Sequence, residues 1–144
     1  MPSESVFNEF LDKVIENLNG NEVVSIIGIA FKPHTPVIEE SAALKLVEAL
    51  LEKGVKVKIY DPIAKVNARK HFGNRVNYAS RIQECLDDGG ACVLTMEDKK
   101  FVSAIEKHDF HKPIVLIDCW RAVNRTKLKN KIKYVPLGKF SDGR

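Results

Sequence analysis

The sequence predicts an α/β domain in which a parallel sheet lies between two layers of helices. Apolar runs rich in β-branched residues alternate along the chain with segments of helical spacing. Two of these runs, Val23 to Ala30 and Ala91 to Met96, are almost wholly apolar, which is typical of strands buried on both faces. Because such alternation implies right-handed crossovers, we expect a three-layer Rossmann-like fold with a mostly parallel sheet, preceded by an N-terminal helix.

The first predicted element is a helix from Ser3 to Leu18. Its apolar residues recur at helical spacing and form one stripe, so this helix must pack on another element. The turn residues Asn19-Gly20-Asn21 are expected to end it. We therefore divide the chain into a leading helix, residues 1–20, and a domain, residues 21–144. The stripe consists of Val6, Phe7, Phe10, Leu11, Val14, Ile15 and Leu18.

A strand, a helix and a second strand follow the leading helix. The buried strand Val23 to Ala30 is followed by a loop and by a helix from Ser41 to Lys53. Ser41 is placed to cap that helix, and Gly54 is placed to end it. Val55 to Tyr60 alternates apolar and polar residues, which indicates a strand with one less buried face.

The remaining elements are shorter and continue the same alternation. Pro136 favours an edge position for the last strand, because proline has no N–H to donate to a neighbour. The predicted strands are Arg75 to Ala79, Ala91 to Met96, Pro113 to Asp118 and Ile132 to Leu137, and the predicted helices are Ser80 to Leu86 and Lys99 to Lys107.

Composition places the chain among ordinary globular proteins. Its 144 residues are enough for one domain with a core of its own. No apolar run approaches the ~20 residues of a membrane span, and the N-terminus lacks the pattern of a signal peptide. The three cysteines show no C-x-x-C spacing, so a disulfide framework or zinc ribbon is not expected. These observations favour a reducing, cytoplasmic setting without a membrane partner.

Charge is concentrated near the C-terminus. Residues 119–144 contain eight basic residues and one acidic residue, whereas the whole chain has a net charge of only +4. A basic segment of this kind can face phosphate, nucleic acid or an acidic partner, and a solvated surface is the alternative. The segment lacks interleaved aromatic residues and any known nucleic-acid-reading motif, so we expect no nucleic-acid partner.

Ligands of open parallel sheets bind beyond the carboxyl ends of the strands. The loop after the first predicted strand lacks both the G-x-G-x-x-G pattern that admits a dinucleotide and the Walker loop, since Gly28 stands alone. We therefore expect this chain to bind no dinucleotide cofactor. The same loop is stiffened by Pro33 and Pro36 and carries Phe31 and Lys32 just before them, where an ammonium could meet phosphate and an aromatic ring could form an apolar wall. The alternative is that Phe31 belongs to the core and Lys32 is solvated.

Several segments resemble a known family. Gly28 to Pro33 (G-I-A-F-K-P), with Thr35 and Glu40-Ser41, resembles the G-L-A-F-K-x-x-T-D-D-x-R-E-S signature of the C-terminal domain of the UDP-glucose/GDP-mannose dehydrogenase family. The resemblance continues through the helix to the strand ending Tyr60-Asp61-Pro62. It then weakens to a similar order of elements, in which Thr95 resembles the end of the family's T-x-H-x-x-F strand and Asp118 resembles the start of its D-G-R segment.

The resemblance implies a nucleotide-sugar-binding domain at residues 21–144. Family members oxidise the C6 hydroxyl of a nucleotide-sugar to a carboxylate in two NAD-dependent steps. The resemblance implies that the NAD-binding domain and the central domain with its catalytic cysteine belong to the rest of a complete enzyme, in which a homo-oligomer is possible. This chain alone should then be catalytically silent, with a UDP-sugar or another nucleotide-sugar as its ligand. A free-standing nucleotide-binding or protein-interaction module is the alternative.

The resemblance also implies the residues of a binding site. Phe31, Lys32 and Thr35 would line it, while the arginine of the D-G-R segment falls on Trp120, one residue before Arg121. We expect Lys32 and then Arg121 to contribute most, because a guanidinium can grip a diphosphate through two bonds. Trp120 could stack on the ligand or simply pack.

The chain also departs from the family pattern near the proposed site. Pro36, Val37 and Glu39 replace the family's acidic pair and arginine, and Ala42 replaces the proline after Ser41. Because the replaced residues are charged, the ligand and the closure of this loop can differ from those of the family.

The other reactive side chains favour structural roles. Cys85 and Cys92 fall on buried elements, and Cys119 has no activating base nearby in the sequence. His108 and His111 lack a matching set of ligands, so no metal is expected. Asp61 is interpreted as a helix cap.

Overall fold

One parallel sheet organises the residues that the computed structural model describes, which are 3–18, 23–88, 90–129 and 132–137. The strands lie in the order β3-β2-β1-β4-β5-β6, and each neighbouring pair is parallel. The predicted sheet is confirmed, and the predicted edge position of the last strand is confirmed with it. The strands are β1 (Val23–Ile27), β2 (Lys56–Tyr60), β3 (Asn77–Tyr78), β4 (Gly90–Leu94), β5 (Ile114–Asp118) and β6 (Ile132–Pro136).

Helices cover both faces of this sheet, which confirms the three-layer Rossmann-like class. Short 3-10 turns at Gly73–Arg75 and Arg125–Lys127 complete the described secondary structure. No helix among the described residues has the length and apolar character needed to cross a membrane. The helices are α1 (Glu4–Glu16), α2 (Ala42–Glu52), α3 (Lys65–Phe72), α4 (Ile82–Asp87) and α5 (Lys99–Lys107).

The leading helix α1 packs on the domain through its predicted stripe. Phe7, Phe10 and Val14 are buried in the same core as the sheet. Ser3 caps the helix, with its hydroxyl oxygen accepting from the Val6 N–H at 3.3 Å. The predicted turn at residues 19–21 lies outside the described residues.

The first strand is shorter than its apolar run suggests. β1 ends at Ile27, although Ile29 and Ala30 are buried as completely as a strand would be. Gly28 has φ of 102°, a conformation that L side chains rarely adopt, and it turns the chain out of the sheet. An apolar run reports burial rather than strand pairing, so this end could not be located from the sequence.

Ser41 both begins α2 and holds the preceding loop. Its hydroxyl oxygen accepts from the Leu44 N–H at 3.2 Å, which confirms the predicted cap. The same hydroxyl donates to the Ile29 carbonyl oxygen at 2.7 Å. Because of this second bond, the start of α2 is tied to the chain just after β1.

All three cysteines are buried and free. Burial raises the pKa of the Cys85 thiol to about 11 and raises the pKa of Cys92 and Cys119 further from the value of a free thiol. Since the thiolate is the reactive form, burial suppresses both access and nucleophilicity. The predicted placement of Cys85 and Cys92 on buried elements is confirmed.

We expect none of the three thiols to react with a thiol-specific alkylating reagent near pH 8 while the chain is folded, because they are buried and protonated. All three should react in denaturant, as counted by mass spectrometry. The free energy of unfolding should also fall as the pH rises from 9 toward 11, because the unfolded Cys85 thiol ionises before the folded one. Labelling of any thiol in the folded chain would contradict this packing.

Candidate functional site

The loops at the carboxyl ends of the strands hold an unusual backbone. Among the described residues, three that are not glycine have positive φ: His34 (65°), Glu40 (59°) and Arg121 (52°). Two of them lie in the loop after β1 and the third follows β5. Such conformations cost free energy and persist only where surrounding contacts enforce them, which happens often at ligand-binding loops.

Asp61 joins the loops that follow β1 and β2. Its side chain is buried, and Oδ2 accepts from the N–H groups of Ile29 (3.0 Å) and Ala30 (3.2 Å). Oδ1 accepts from the N–H groups of Ile63 and Ala64, both at 3.1 Å, in the turn before α3. Asp61 therefore does more than the predicted helix cap, because half of its bonds fasten a loop about thirty residues away in sequence.

The same contacts show that a dinucleotide does not fit this edge. In dinucleotide-binding folds, the backbone N–H groups just after the first strand face the pyrophosphate. Here the N–H groups of Ile29 and Ala30 donate to the Asp61 carboxylate instead. A phosphate at this position would meet a carboxylate and find its donors already taken. No NAD chemistry is therefore assigned to the residues of this chain.

The crevice between β1 and β4 is also closed. The Thr95 hydroxyl is in hydrogen-bonding position to the carbonyl oxygens of Ile27 (2.9 Å) and Gly28. A Cβ atom at Gly28 would lie 2.8 Å from the Met96 Cε, so the side chain of Met96 fills the space over the turn. This is the point where strand order reverses, the usual ligand position of such sheets. A ligand must therefore lie over the surrounding loops rather than between these two strands.

The side chains of Phe31 and Lys32 project from the loop after β1. Phe31 is 48% exposed, so it is not part of the core. The Lys32 Nζ lies 5.4 Å from the centroid of the Phe31 ring. The Phe31 N–H donates to the Val37 carbonyl oxygen at 3.1 Å, and Thr35 Oγ1 accepts from the Val37 N–H at 3.2 Å. The loop thus satisfies part of its own backbone and leaves both side chains open.

Lys32 and Thr35 line a cleft of about 410 Å³ at the carboxyl ends of β2 and β3. Two further cations line the same cleft, Arg81 and Lys100, and neither was identified from the sequence. The available signal was position, because Arg81 closely follows the predicted strand at Arg75 to Ala79. Tyr60 and Phe101 also line the cleft, with ring centroids 5.6 Å apart in an edge-on arrangement.

Trp120 and Arg121 do not line this cleft and instead lie in the loop after β5. The Trp120 indole N–H donates to the Thr95 carbonyl oxygen at 2.9 Å, so this N–H is already engaged, and the ring is partly buried. The Arg121 Nε donates to the Leu137 carbonyl oxygen at 3.0 Å, and the residue is exposed. The structure therefore brings Lys32 and Thr35 together and holds Trp120 and Arg121 in a separate loop.

A second buried carboxylate shapes that loop. Asp118 accepts from the Trp120 N–H (3.1 Å) through Oδ1 and from the Val123 N–H (2.8 Å) through Oδ2. The Tyr134 hydroxyl donates to Oδ2 at 2.8 Å. Burial, together with this bond and the charge of Asp118, raises the pKa of Tyr134. Arg121 is thus presented by a turn that is closed around Asp118.

His108, one of the two histidines considered as metal ligands, has another partner. His108 Nε2 lies 2.7 Å from an Asp87 carboxylate oxygen, and Asp109 pairs with Lys129 at 2.8 Å. Within the described ranges, no group of three or more His, Cys, Asp or Glu side chains could hold a metal ion.

The fold and the contacts at this edge of the sheet define a Rossmann-like domain. In this domain, the protein's own side chains occupy the position that a dinucleotide takes in nucleotide-binding members of the class. Comparison with known proteins then narrows the class. A sequence profile described as "UDP-glucose/GDP-mannose dehydrogenase family, UDP binding domain" matches residues 25–125. The chain therefore belongs to the UDP-glucose/GDP-mannose dehydrogenase family and corresponds to its UDP-binding domain, as the sequence resemblance predicted.

Individual relatives agree with this assignment. The UDP-glucose 6-dehydrogenase AglM of Haloferax volcanii is 33% identical over 109 residues, which are 76% of this chain and 25% of AglM. TuaD of Bacillus subtilis, also a UDP-glucose 6-dehydrogenase, is 31% identical over 97 residues, 66% of this chain and 21% of TuaD. The chain thus spans about a quarter of the length of these relatives.

A solved structure shows the same fold. A UDP-glucose dehydrogenase from the archaeon Pyrobaculum islandicum superimposes with a TM-score of 0.68 and 26% identity. The match covers 94% of this chain and 29% of that protein.

Proposed function

We propose that this chain is the nucleotide-sugar-binding part of an NAD-dependent 6-dehydrogenase that oxidises a sugar C6 hydroxyl to a carboxylate. The observation that carries the proposal is the exposed Phe31–Lys32 pair, on a fastened loop at the carboxyl edge of the family's UDP-binding domain. In this proposal, NAD and the catalytic thiol are held by other parts of the complete enzyme. The domain division at residue 20, the nucleotide-sugar ligand and the site residues all belong to this proposal.

Phosphate is the part of the ligand that this edge is suited to recognise. Lys32 supplies a charge that, among the described residues, has no carboxylate within 4.0 Å. Arg121 supplies a second exposed cation, on a turn held by Asp118. A diphosphate lying across the loops would meet the ammonium at one end and the guanidinium at the other, and the Phe31 ring would form an apolar wall.

Exposed apolar side chains support a partner at the same edge. Among the described residues, the large apolar side chains left exposed are Phe31, Val37, Ile63 and Val66. The Asn67 side-chain amide donates to the Pro36 carbonyl oxygen at 2.7 Å, so the start of α3 lies against the loop that carries Phe31. Apolar groups gathered beside a ligand site suit a surface that another domain covers. In the proposed enzyme, the covering domain is either the NAD-binding domain or the central domain.

We expect Lys32→Ala to weaken binding of UDP-glucose to the chain by about tenfold, because it removes one charge-assisted hydrogen bond to phosphate. Lys53→Ala is the matched control, since Lys53 is an exposed lysine at the end of α2 and distant from the edge. Affinities are measured by NMR titration of the isotope-labelled chain, with uridine as the probe that lacks phosphate. Equal affinities of the parent chain and Lys32→Ala would overturn the role given to Lys32.

A further inference from the structure

The cleft beside Lys32 is a separate concave site at the carboxyl ends of β2 and β3. Its volume of about 410 Å³ lies within the range of small-molecule pockets. Its walls come from the loops after β1, β2, β3 and β4 and from α4 and α5. Trp120 and Arg121 do not line the cleft. The cleft is therefore distinct from the proposed position of a diphosphate between Lys32 and Arg121.

Three cations and two carboxylates line this cleft, which leaves it a net positive charge. Lys32, Arg81 and Lys100 line it, and in the described part of the chain none of the three has a carboxylate within 4.0 Å. Lys58, by contrast, pairs with Asp88 at 2.8 Å. Three cations around one concavity favour an anionic ligand.

The carboxylates that line the cleft accept hydrogen bonds from backbone N–H groups. Asp61 uses both oxygens on four N–H groups, as described above. Asp98 caps α5, with Oδ1 accepting from the N–H groups of Lys100 (2.8 Å) and Phe101 (3.2 Å). These acids therefore build the walls rather than pair with the cations.

Apolar and aromatic side chains also line the cleft. The Tyr60 and Phe101 rings meet edge to face, and Ile63 is 48% exposed beside them. Such a surface can take the flat face of a heterocyclic base, while the hydroxyls of Ser80 and Thr35 are suited to bond a sugar or phosphate. We propose that this cleft is a second binding site, for a nucleoside monophosphate, with the phosphate on Arg81 and Lys100 and the base against Tyr60 and Ile63.

The test is an NMR titration of the isotope-labelled chain with UMP and AMP, with uridine and inorganic phosphate as the two part-ligands. We expect saturable shifts of the amides at 80–83 and 100–104, with each part-ligand weaker than its parent nucleotide. Arg81→Gln and Lys100→Gln should each weaken binding about tenfold, as loss of a charge-assisted bond predicts. Lys53→Gln and Arg121→Gln, as matched controls, should leave these shifts within about twofold, since neither residue lines the cleft.

Two results would overturn the second site. One is the absence of saturable shifts at 80–83 and 100–104 at about 10 mM nucleotide, well above a millimolar Kd. The other is unchanged binding in both Arg81→Gln and Lys100→Gln with native-like spectra. The proposal does not depend on the nucleotide-sugar function. Shifts confined to residues 31–35 and 119–123 would overturn the second site and leave the nucleotide-sugar function standing. Binding in the cleft that Arg121→Gln does not change would support the second site, whether or not UDP-glucose binds.

Discussion

Replacing Asp61 with alanine should lower the free energy of unfolding by about 4 kcal/mol, one of the two largest effects we expect in this chain. The substitution removes the acceptor of four backbone N–H groups, two after β1 and two before α3. Each buried N–H left without a partner costs about 1 to 3 kcal/mol, and water can reach some of them. The stability of a domain of this size is only about 5 to 15 kcal/mol.

A graded series of aspartates provides the controls for Asp61→Ala. Asp98→Ala removes two bonds at the start of α5 and should cost about 1 kcal/mol, the usual value of a helix cap. Asp12→Ala, on the exposed face of α1, should lie within about 0.5 kcal/mol of the parent. Urea unfolding followed by circular dichroism measures all three. A cost for Asp61→Ala no larger than that for Asp98→Ala would contradict the role of Asp61 in joining two loops.

Asp118→Ala should lower the free energy of unfolding by about 3 kcal/mol and disturb the loop that carries Arg121. The variant leaves the N–H groups of Trp120 and Val123 and the Tyr134 hydroxyl without their acceptor. Because Trp120 is the one tryptophan in the chain, its fluorescence reports on this loop directly. We expect the emission of the folded variant to differ from that of the parent chain before any unfolding begins.

Tyr134→Phe separates the two parts of this prediction. It removes the hydroxyl donor and keeps the ring, over which the Arg125 guanidinium lies 5.0 Å from the centroid. A loss of about 1 kcal/mol with nearly parental emission is expected, since Asp118 retains both backbone N–H donors. If Asp118→Ala were as mild as Tyr134→Phe in both stability and emission, Asp118 would not be what shapes the turn.

The architecture could be predicted because its signals are local. The stripe of α1, the Ser41 cap and the alternation before Tyr60 each lie within a few residues, and the structure confirms them. The end of β1 could not be located in this way, because Ile29 and Ala30 are apolar and buried but bond to Asp61. That bond joins residues more than thirty positions apart, and no pattern within the loop announces it.

The candidate site was only partly visible for a similar reason. Lys32 and Thr35 were predicted as site residues because a contiguous motif carries them; both line the cleft, and their binding role stays a prediction. Arg81 comes from the loop after β3 and Lys100 from the first turn of α5, so only the order of the strands brings them beside Lys32. The positive φ of His34, Glu40 and Arg121 was also hidden, since none of these positions carries the glycine that usually marks such a conformation.

The hydrogen bonds between Asp61 and the loop after β1 determine how difficult it would be to change this domain into one that binds a dinucleotide. Restoring a glycine-rich loop would not by itself readmit a dinucleotide, because Asp61 would still occupy the donors and Thr95 and Met96 would still fill the crevice. Removing Asp61 first would lower the stability of the domain before any bound ligand could stabilise it. Dinucleotide binding at this edge would therefore need several changes together, the first of which would by itself lower the stability of the domain.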